Sequence, residues 1–504
     1  MLDEPGQNAR PGQMHRPVHR LLLTAILASA MAACQPSGEE ALDVTVIGSD
    51  APSIADPGAG PLSAPDQAML ANVAQGLVRF DARGQIEPGL AERWNVSDDG
   101  LSYIFRLASA EWPGGRAVTA RDVARILNRQ LRDASRNPLK DTLGAVSEIV
   151  AMTDRVIEVR LTTPRPNLLQ LLAQPEFALV REGQGTGPFQ VDAKQDAPGA
   201  IAMTQRIRIV DDKDRIEHVH LRSAEAAAAI AAFRDGKAAL VLGGTFADLP
   251  LVPRGERSLR SAVHFDPVAG LFGLVPARSS GPLAERDLRD LLNRTIDREA
   301  LIAALDVPNL VPRTTLLQAG LDGGANPLAP AWAQLPPAER RTAASAEARA
   351  IVEGEEPLRL AIALPAGPGA DILFQRLATD WRPLGIELVR AGNGVPADLK
   401  LIDQVAPSSS PAWFVRGLRC GTAALCSKDA DALMDSAREA QIAIQRAAML
   451  AEAGRLIDEE VLFLPIAAPI RWSLVGGGLP GFAENIFARH PLSGLREKPS
   501  RERQ

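Results

Sequence analysis

PGLAERWNVSDDGLSYIFRLASAEWPGGRAVTARDVARILNRQL, residues 88 to 131, carries three local signals in succession. Leu101, Tyr103, Phe105 and Leu107 recur at every second position, the period that puts side chains on one face of a strand. RWNVS, just upstream, reads as a partner strand. Asp99-Gly100 lies between the two and suits the positive φ angles of a tight hairpin. WPGG, ending at Gly115, reads as a turn. Thr119 is followed three residues later by Asp122, a weak form of the capping box. Val123, Ile126, Leu127 and Leu131 then mark one face of a helix. The stretch therefore predicts a hairpin, a turn and a capped amphipathic helix.

The same mixture of periods extends outward in both directions. DVTVIGS, from Asp43, alternates apolar and polar residues and ends in a turn, as a first strand does. ADPGAGPLSAPDQ is a loop by its Pro and Gly content, and DQAMLANVAQGLVRF reads as a helix running into a strand. Late in the chain, LRLAIALP, DILFQRLATDWRPL and GIELVRAG read as strand, helix and strand. No repeat of solenoid period is evident. The closing LREKPSRERQ is charged and expected to fray.

Composition narrows the function classes. The chain has 504 residues, 46% hydrophobic and 23% charged, ordinary globular values with length for two or three domains. A net charge of -6 leaves no basic footprint for nucleic acid. There is no G-x-S-x-G elbow, no G-x-x-x-x-G-K-[ST] phosphate loop and no H-E-x-x-H zinc helix, so the chain is not expected to be an enzyme. His218 and His220 would share one side of a strand, but with no third ligand in view they read as surface residues, and no metal is expected. No cofactor is expected either. Aromatics are 4%, with a single tyrosine, which speaks against an aromatic-lined sugar site.

The residues around the opening stretch resemble the signature region of the family 5 extracellular solute-binding proteins, the peptide- and nickel-binding receptors of ABC importers. Pro88, Leu90, Ala91, Glu92, Trp94, Ser97, Asp99, Gly100, Tyr103, Phe105, Leu107, Trp112, Gly115, Thr119, Ala120, Asp122 and Val123 fall on that family's pattern, with departures at Ala108 and Gly114. GTGPFQV from Gly185, FRDGKAALVLG and PLAERDLRDLLNRTIDREALIAAL resemble further family segments in the right order. The resemblance implies an α/β, two-lobe periplasmic binding protein fold with an extra small subdomain and a ligand cleft between the lobes. By analogy, lobe I takes residues 44–260, including the small subdomain, with 476–504 returning to it, and lobe II takes 261–475. The chain would cross between lobes near 258–266 and near 474–482, where LVGGGLPGF supplies three successive glycines.

The resemblance also implies a site. In the family's peptide receptors an acidic residue ahead of a closing proline meets the peptide amine. If Pro411 is that proline, Pro407 stands at the acidic position and Gln404 at a tryptophan position, so the usual anchor is missing, with Asp403 close but shifted. The candidate ligand-binding residues are Asp403, Gln404, Val405 and Trp413, plus Ala51, Pro52 and Ser53 in the loop after the first strand. The expected function is that of a substrate-binding lipoprotein of an ABC importer. It would capture a peptide or peptide-like solute by lobe closure and deliver it to permease and ATPase subunits, acting as a monomer. The alternative is a degenerate relative, an envelope protein with an interaction or signalling role and no transport.

The N-terminus carries an address. Leu21 to Met31 is too short to span a membrane, follows a basic patch and ends in small residues, the layout of a secretory signal peptide. Met31-Ala32-Ala33-Cys34 resembles a bacterial lipobox, which makes residues 1–33 a lipoprotein signal peptide, Cys34 the lipidation site and 34–43 a tether. Asp3 and Glu4 suit a signal peptide poorly, so Met14 is the expected start. The expected location is the periplasm, lipid-anchored to the cell envelope. Cys420 and Cys426, with five residues between them, read either as a disulfide closing a small loop or as two buried thiols.

Overall fold

The computed structural model describes residues 41–194, 198–208, 214–323, 326–352, 356–392 and 394–497. The expected signal peptide, the Met14 start, Cys34 and most of the tether lie outside these residues. Among the described residues no helix is long and apolar enough to cross a membrane.

Two principal sheets organise the chain. The first has seven strands in the spatial order 190–191, 201–208, 214–224, 42–47, 240–245, 471–475 and 263–265. Leu42–Ile47 is central, parallel to Asp214–Ala224 on one side and Leu240–Thr245 on the other. Val44, Val46, Leu221, Leu240 and Leu242 are buried beside Met69 and Val73 of helix Ala64–Val73, so alternation on the strands meets an apolar stripe on the helix. The second sheet has five strands in the order 386–390, 358–363, 399–405, 270–276 and 464–467. Leu358–Ala363 and Ile386–Arg390 run parallel, joined by helix Pro368–Trp381, the strand-helix-strand unit that the sequence predicts. Trp381 is fully buried on this sheet's helical layer, its indole N–H donating to Leu292 O at 3.2 Å.

A smaller four-stranded sheet, ordered 91–96, 102–107, 156–161 and 146–153, contains the opening stretch. Trp94 pairs with Phe105 across the hairpin, Gly100 at the turn has φ +68°, and the Asp99 carboxylate accepts from Leu101 N at 2.9 Å. Helix Ala120–Leu131 follows, and Thr119 Oγ1 accepts from Asp122 N, completing the expected cap. Val123, Ile126 and Leu127 bury against Tyr103, Phe105 and Leu107.

The chain passes between the principal sheets twice. Val263–Phe265 belongs to the first and Gly270–Pro276 to the second, so the outward passage is residues 266–269. Leu464–Ala467 belongs to the second and Arg471–Val475 to the first, so the return is residues 468–470. The return thus precedes the 474–482 stretch expected from the glycine run. Leu474 already pairs with Val241 and Val263 there, and Gly476 N–H donates to Ala239 O. The glycines mark an exit from the first sheet. Each passage instead carries a proline, Pro267 and Pro469.

Candidate ligand-binding site

A cavity of about 560 Å³ opens between the two principal sheets. Gly243, Gly244 and Thr245 reach it at the end of the first sheet's parallel strand, and Gln404 and Val405 at the end of Leu399–Val405 in the second. Gln174 and Glu176 come from the segment leaving the four-stranded sheet, and Arg489 and His490 from the C-terminal segment. Side-chain size shapes the floor. A Cβ on Gly244 would lie 2.2 Å from the Trp472 ring, so only glycine lets the indole lie flat on this backbone, where its N–H donates to Thr245 O at 2.8 Å. Gly243 takes φ +84° at the irregularity in the ladder between Val241 and Gly244.

Charge in the cavity comes in pairs. Arg471 reaches across the floor to Asp403, with Nη1 2.9 and 3.1 Å from the two carboxylate oxygens and Nη2 donating to Asp403 O at 3.2 Å. Burial pushes the Asp403 carboxyl up, and Arg471 opposes that shift. Asp266, on the outward passage, accepts from Asn485 N at 2.9 Å and lies 3.1 Å from His490 Nε2. His490 in turn stacks on Phe482. Burial holds the Arg489 guanidinium below its usual range, with Glu176 opposing at 3.7 Å. Glu176 differs from the others. It is 5% exposed, Gln67 Nε2 donates to its Oε1 at 3.4 Å, and its Oε2 is buried without a hydrogen-bond partner. A buried carboxylate oxygen with no hydrogen-bond partner is a costly arrangement.

The structure brings some of the expected residues together and separates others. Gln404, Val405 and Trp413 line the cavity. Asp403 stands behind Arg471, which occupies both of its carboxylate oxygens, so the shifted acid serves as a bridge between sheets. Ala51, Pro52 and Ser53 lie outside the lining. Ser53 N and Oγ both donate to Asp66, which ties that loop to the start of helix Ala64–Val73. Cys420 and Cys426 form a disulfide. His220 Nδ1 sits 3.5 Å from Asp43, and among the described residues no group of three or more His, Cys, Asp or Glu is arranged to hold a metal. Glu176, Arg471 and Arg489 escape a reading of the sequence, since PEF and PIRWSLV look like an ordinary turn and strand.

The model of the Bacterial extracellular solute-binding proteins, family 5 Middle, matches residues 85–389. A probable di/tripeptide-binding protein 5 of Pseudomonas aeruginosa is 23% identical over 485 residues, covering 84% of this chain and 89% of its own. Among solved structures, Haemophilus influenzae OppA in complex with RPPGFSPFR superposes with a TM-score of 0.76 at 18% identity, over 90% of this chain and 98% of that one. The Escherichia coli murein tripeptide binding protein MppA gives 0.75 at 17% identity, over 90% and 97%. These likenesses agree with a mixed α/β fold of two lobes. The chain belongs to the family 5 bacterial extracellular solute-binding proteins.

Proposed function

We propose that this chain is the capture component of an ABC importer and takes a short peptide or peptide-like solute into the cavity between its principal sheets. The observation that carries the ligand class is an acidic residue, Glu176, lining a cavity of about 560 Å³ and paired no closer than 3.7 Å to Arg489. That volume suits a ligand of a few residues. Glu176 takes the ligand's ammonium group, the role that Asp403 cannot fill while Arg471 holds it. Trp413, Gln404 and Val405 line the same cavity. The lobes follow the sheets, with lobe I built on the seven-stranded sheet and lobe II on the five-stranded one, and the 266–269 and 468–470 passages are the hinges of closure. The action is capture and delivery, with no covalent step. We further propose export, lipid anchoring through Cys34 on the periplasmic side of the envelope, action as a monomer, and delivery to permease and ATPase subunits.

The test is mass spectrometry of small molecules released when the protein, produced in a bacterial periplasm, is denatured, followed by titration calorimetry with di- and tripeptides. Recovery of short peptides absent from a mock purification, and their rebinding, is expected. A single non-peptide compound replaces the ligand class. An empty cleft that no peptide mixture stabilises would turn the reading to an envelope protein without transport.

A further inference from the structure

A second cavity, of about 170 Å³, lies beyond Trp413, whose ring borders both spaces. Among the described residues its walls include five arginines, Arg165, Arg416, Arg419, Arg438 and Arg446, against one carboxylate, Asp322. Asp322 is engaged by Ser409 Oγ at 2.8 Å. Arg419 is paired with Asp435 at 2.8 Å, and Arg438 lies 4.0 Å from the same carboxylate. The other three donate to backbone carbonyls: Arg165 to Pro164 O and Arg438 O, Arg416 to Asp141 O, and Arg446 to Ala440 O. Arg446 Nε is buried without a hydrogen-bond partner. Neutral carbonyls satisfy a few of the five N–H donors on each guanidinium and neutralise none of its charge.

Like charges gathered around a small, partly desolvated space repel one another. Burial lowers the Arg165 pKa to about 10, and Arg446, Arg416 and Arg438 add to the effect. Arg416 is lowered by burial and then by Arg438, with Asp141 opposing. Among the described residues, Arg165, Arg416 and Arg446 have no carboxylate within ion-pair distance, whereas Arg419 lies near both Asp435 and Asp431.

The cavity also lies on a seam. Arg165 comes from the segment leaving the four-stranded sheet, and the other four arginines from the helical layer after Pro411, whose apolar residues pack with Leu271 and Val275 of the five-stranded sheet. Besides the Arg165–Arg438 O and Arg416–Asp141 O contacts, neutral groups also join the two sides. Asn167 Nδ2 donates to Ser408 Oγ at 3.2 Å, Gln174 Nε2 to Pro407 O at 2.8 Å, and Thr163 Oγ1 to Arg438 O at 3.2 Å.

We propose that this cavity is a second ligand site, for a small oxyanion of the carboxylate or phosphate class, and that its occupant ties the small subdomain to the second lobe. Guanidinium groups meet such anions with paired, charge-assisted hydrogen bonds. An anion held by Arg165 from one side and by Arg416 and Arg446 from the other is shared across the seam, so its binding and closure over the principal cleft favour each other. The oxyanion has two sources, a free anion or an acidic group on the cleft ligand reaching past Trp413.

The test is thermal unfolding of the full chain in sodium phosphate or sodium acetate against sodium chloride at matched ionic strength, which separates site binding from general screening. A concentration-dependent rise in Tm with either oxyanion, beyond that in chloride, is expected. Arg416→Gln and Arg446→Gln should each cut the apparent affinity at least tenfold while unfolding in chloride no earlier than the parent, because each removes a repelled charge. An arginine with a purely structural role would instead lower Tm in chloride. The absence of an oxyanion-specific rise in the parent protein, or a rise that persists in both variants, overturns the proposal. A further arm, which rests on the peptide reading, saturates the cleft with a free-acid tripeptide or its C-terminal amide. Loss of the phosphate effect with the acid alone assigns the cavity to the ligand's carboxylate, and persistence with both assigns it to a free anion.

Discussion

Arg471 and Asp403 stand on different principal sheets and meet across the cleft floor, with both carboxylate oxygens within 3.1 Å of one guanidinium nitrogen. The pair lies beside the return passage, directly after Ile470, so it holds the sheets where the chain itself already joins them. An acid so engaged cannot also receive a ligand ammonium without releasing its arginine into a half-buried site. Asp403→Asn is expected to destabilise the fold by about 3 kcal/mol, since it strands the Arg471 charge. Pairing it with Arg471→Met should cost less than the two single changes summed. Urea unfolding midpoints of the four proteins check this, and strict additivity would remove the bridge from the account.

Glu176 makes a prediction about specificity. A charge-assisted bond to an ammonium contributes about 1.5–3 kcal/mol, or roughly 10- to 150-fold in affinity. Glu176→Gln should weaken a free-amine tripeptide by that factor and leave its N-acetylated form almost unchanged. Calorimetry with the two peptides decides, and equal losses for both would mean that the variant damages the cleft generally.

How much of this was legible follows from where each signal resides. The hairpin at Asp99-Gly100 and the cap at Thr119 are local, written in neighbours, and the structure has both. The strand-helix-strand unit around Pro368–Trp381 is also local. The return passage was not legible, because a run such as Gly476–Gly478 advertises freedom without saying which sheet precedes it. The glycine that close packing near the passages demands is Gly270, where a Cβ would lie 2.1 Å from Gln404 O. No local pattern announces that contact. Glu176 was invisible for the same reason: its neighbour Gln67 lies 109 residues earlier in the chain, and Arg489 joins it from the C-terminal segment.

The disulfide between Cys420 and Cys426 closes a short loop between helix Pro411–Arg416 and helix Lys428–Glu439. Loop closure of this length restricts the unfolded chain by about 2 kcal/mol. The Cys420→Ser, Cys426→Ser double variant should lose that amount, and reductant should lower the Tm of the parent protein but not of the variant. Arg416 and Arg419 flank this loop, so the variant is also expected to weaken any oxyanion effect on Tm. An unaltered melting curve under reductant would show that the helices hold the loop without the bond.

Asp458 predicts a pH dependence. Burial pushes its carboxyl up to about 7, against a hydrogen bond from Leu316 N at 2.8 Å that favours the charged form. Below its unfolded pKa of 3.8 the group is protonated in both states and contributes no penalty. Between that value and about 7 the folded state holds a proton that the unfolded chain has released. Its contribution to stability therefore falls as pH rises through this window and is flat above it. Asn in its place keeps the acceptor for Leu316 N and carries no charge. Asp458→Asn should match the parent near pH 4 and exceed it by about 1–2 kcal/mol at pH 8, a fraction of the full desolvation penalty because the site can relax. Denaturant unfolding of both proteins across pH 4 to pH 8 measures the difference directly. A gap that stays constant over that range would mean Asp458 is already ionised throughout the folded state, and the buried-acid reading would fall.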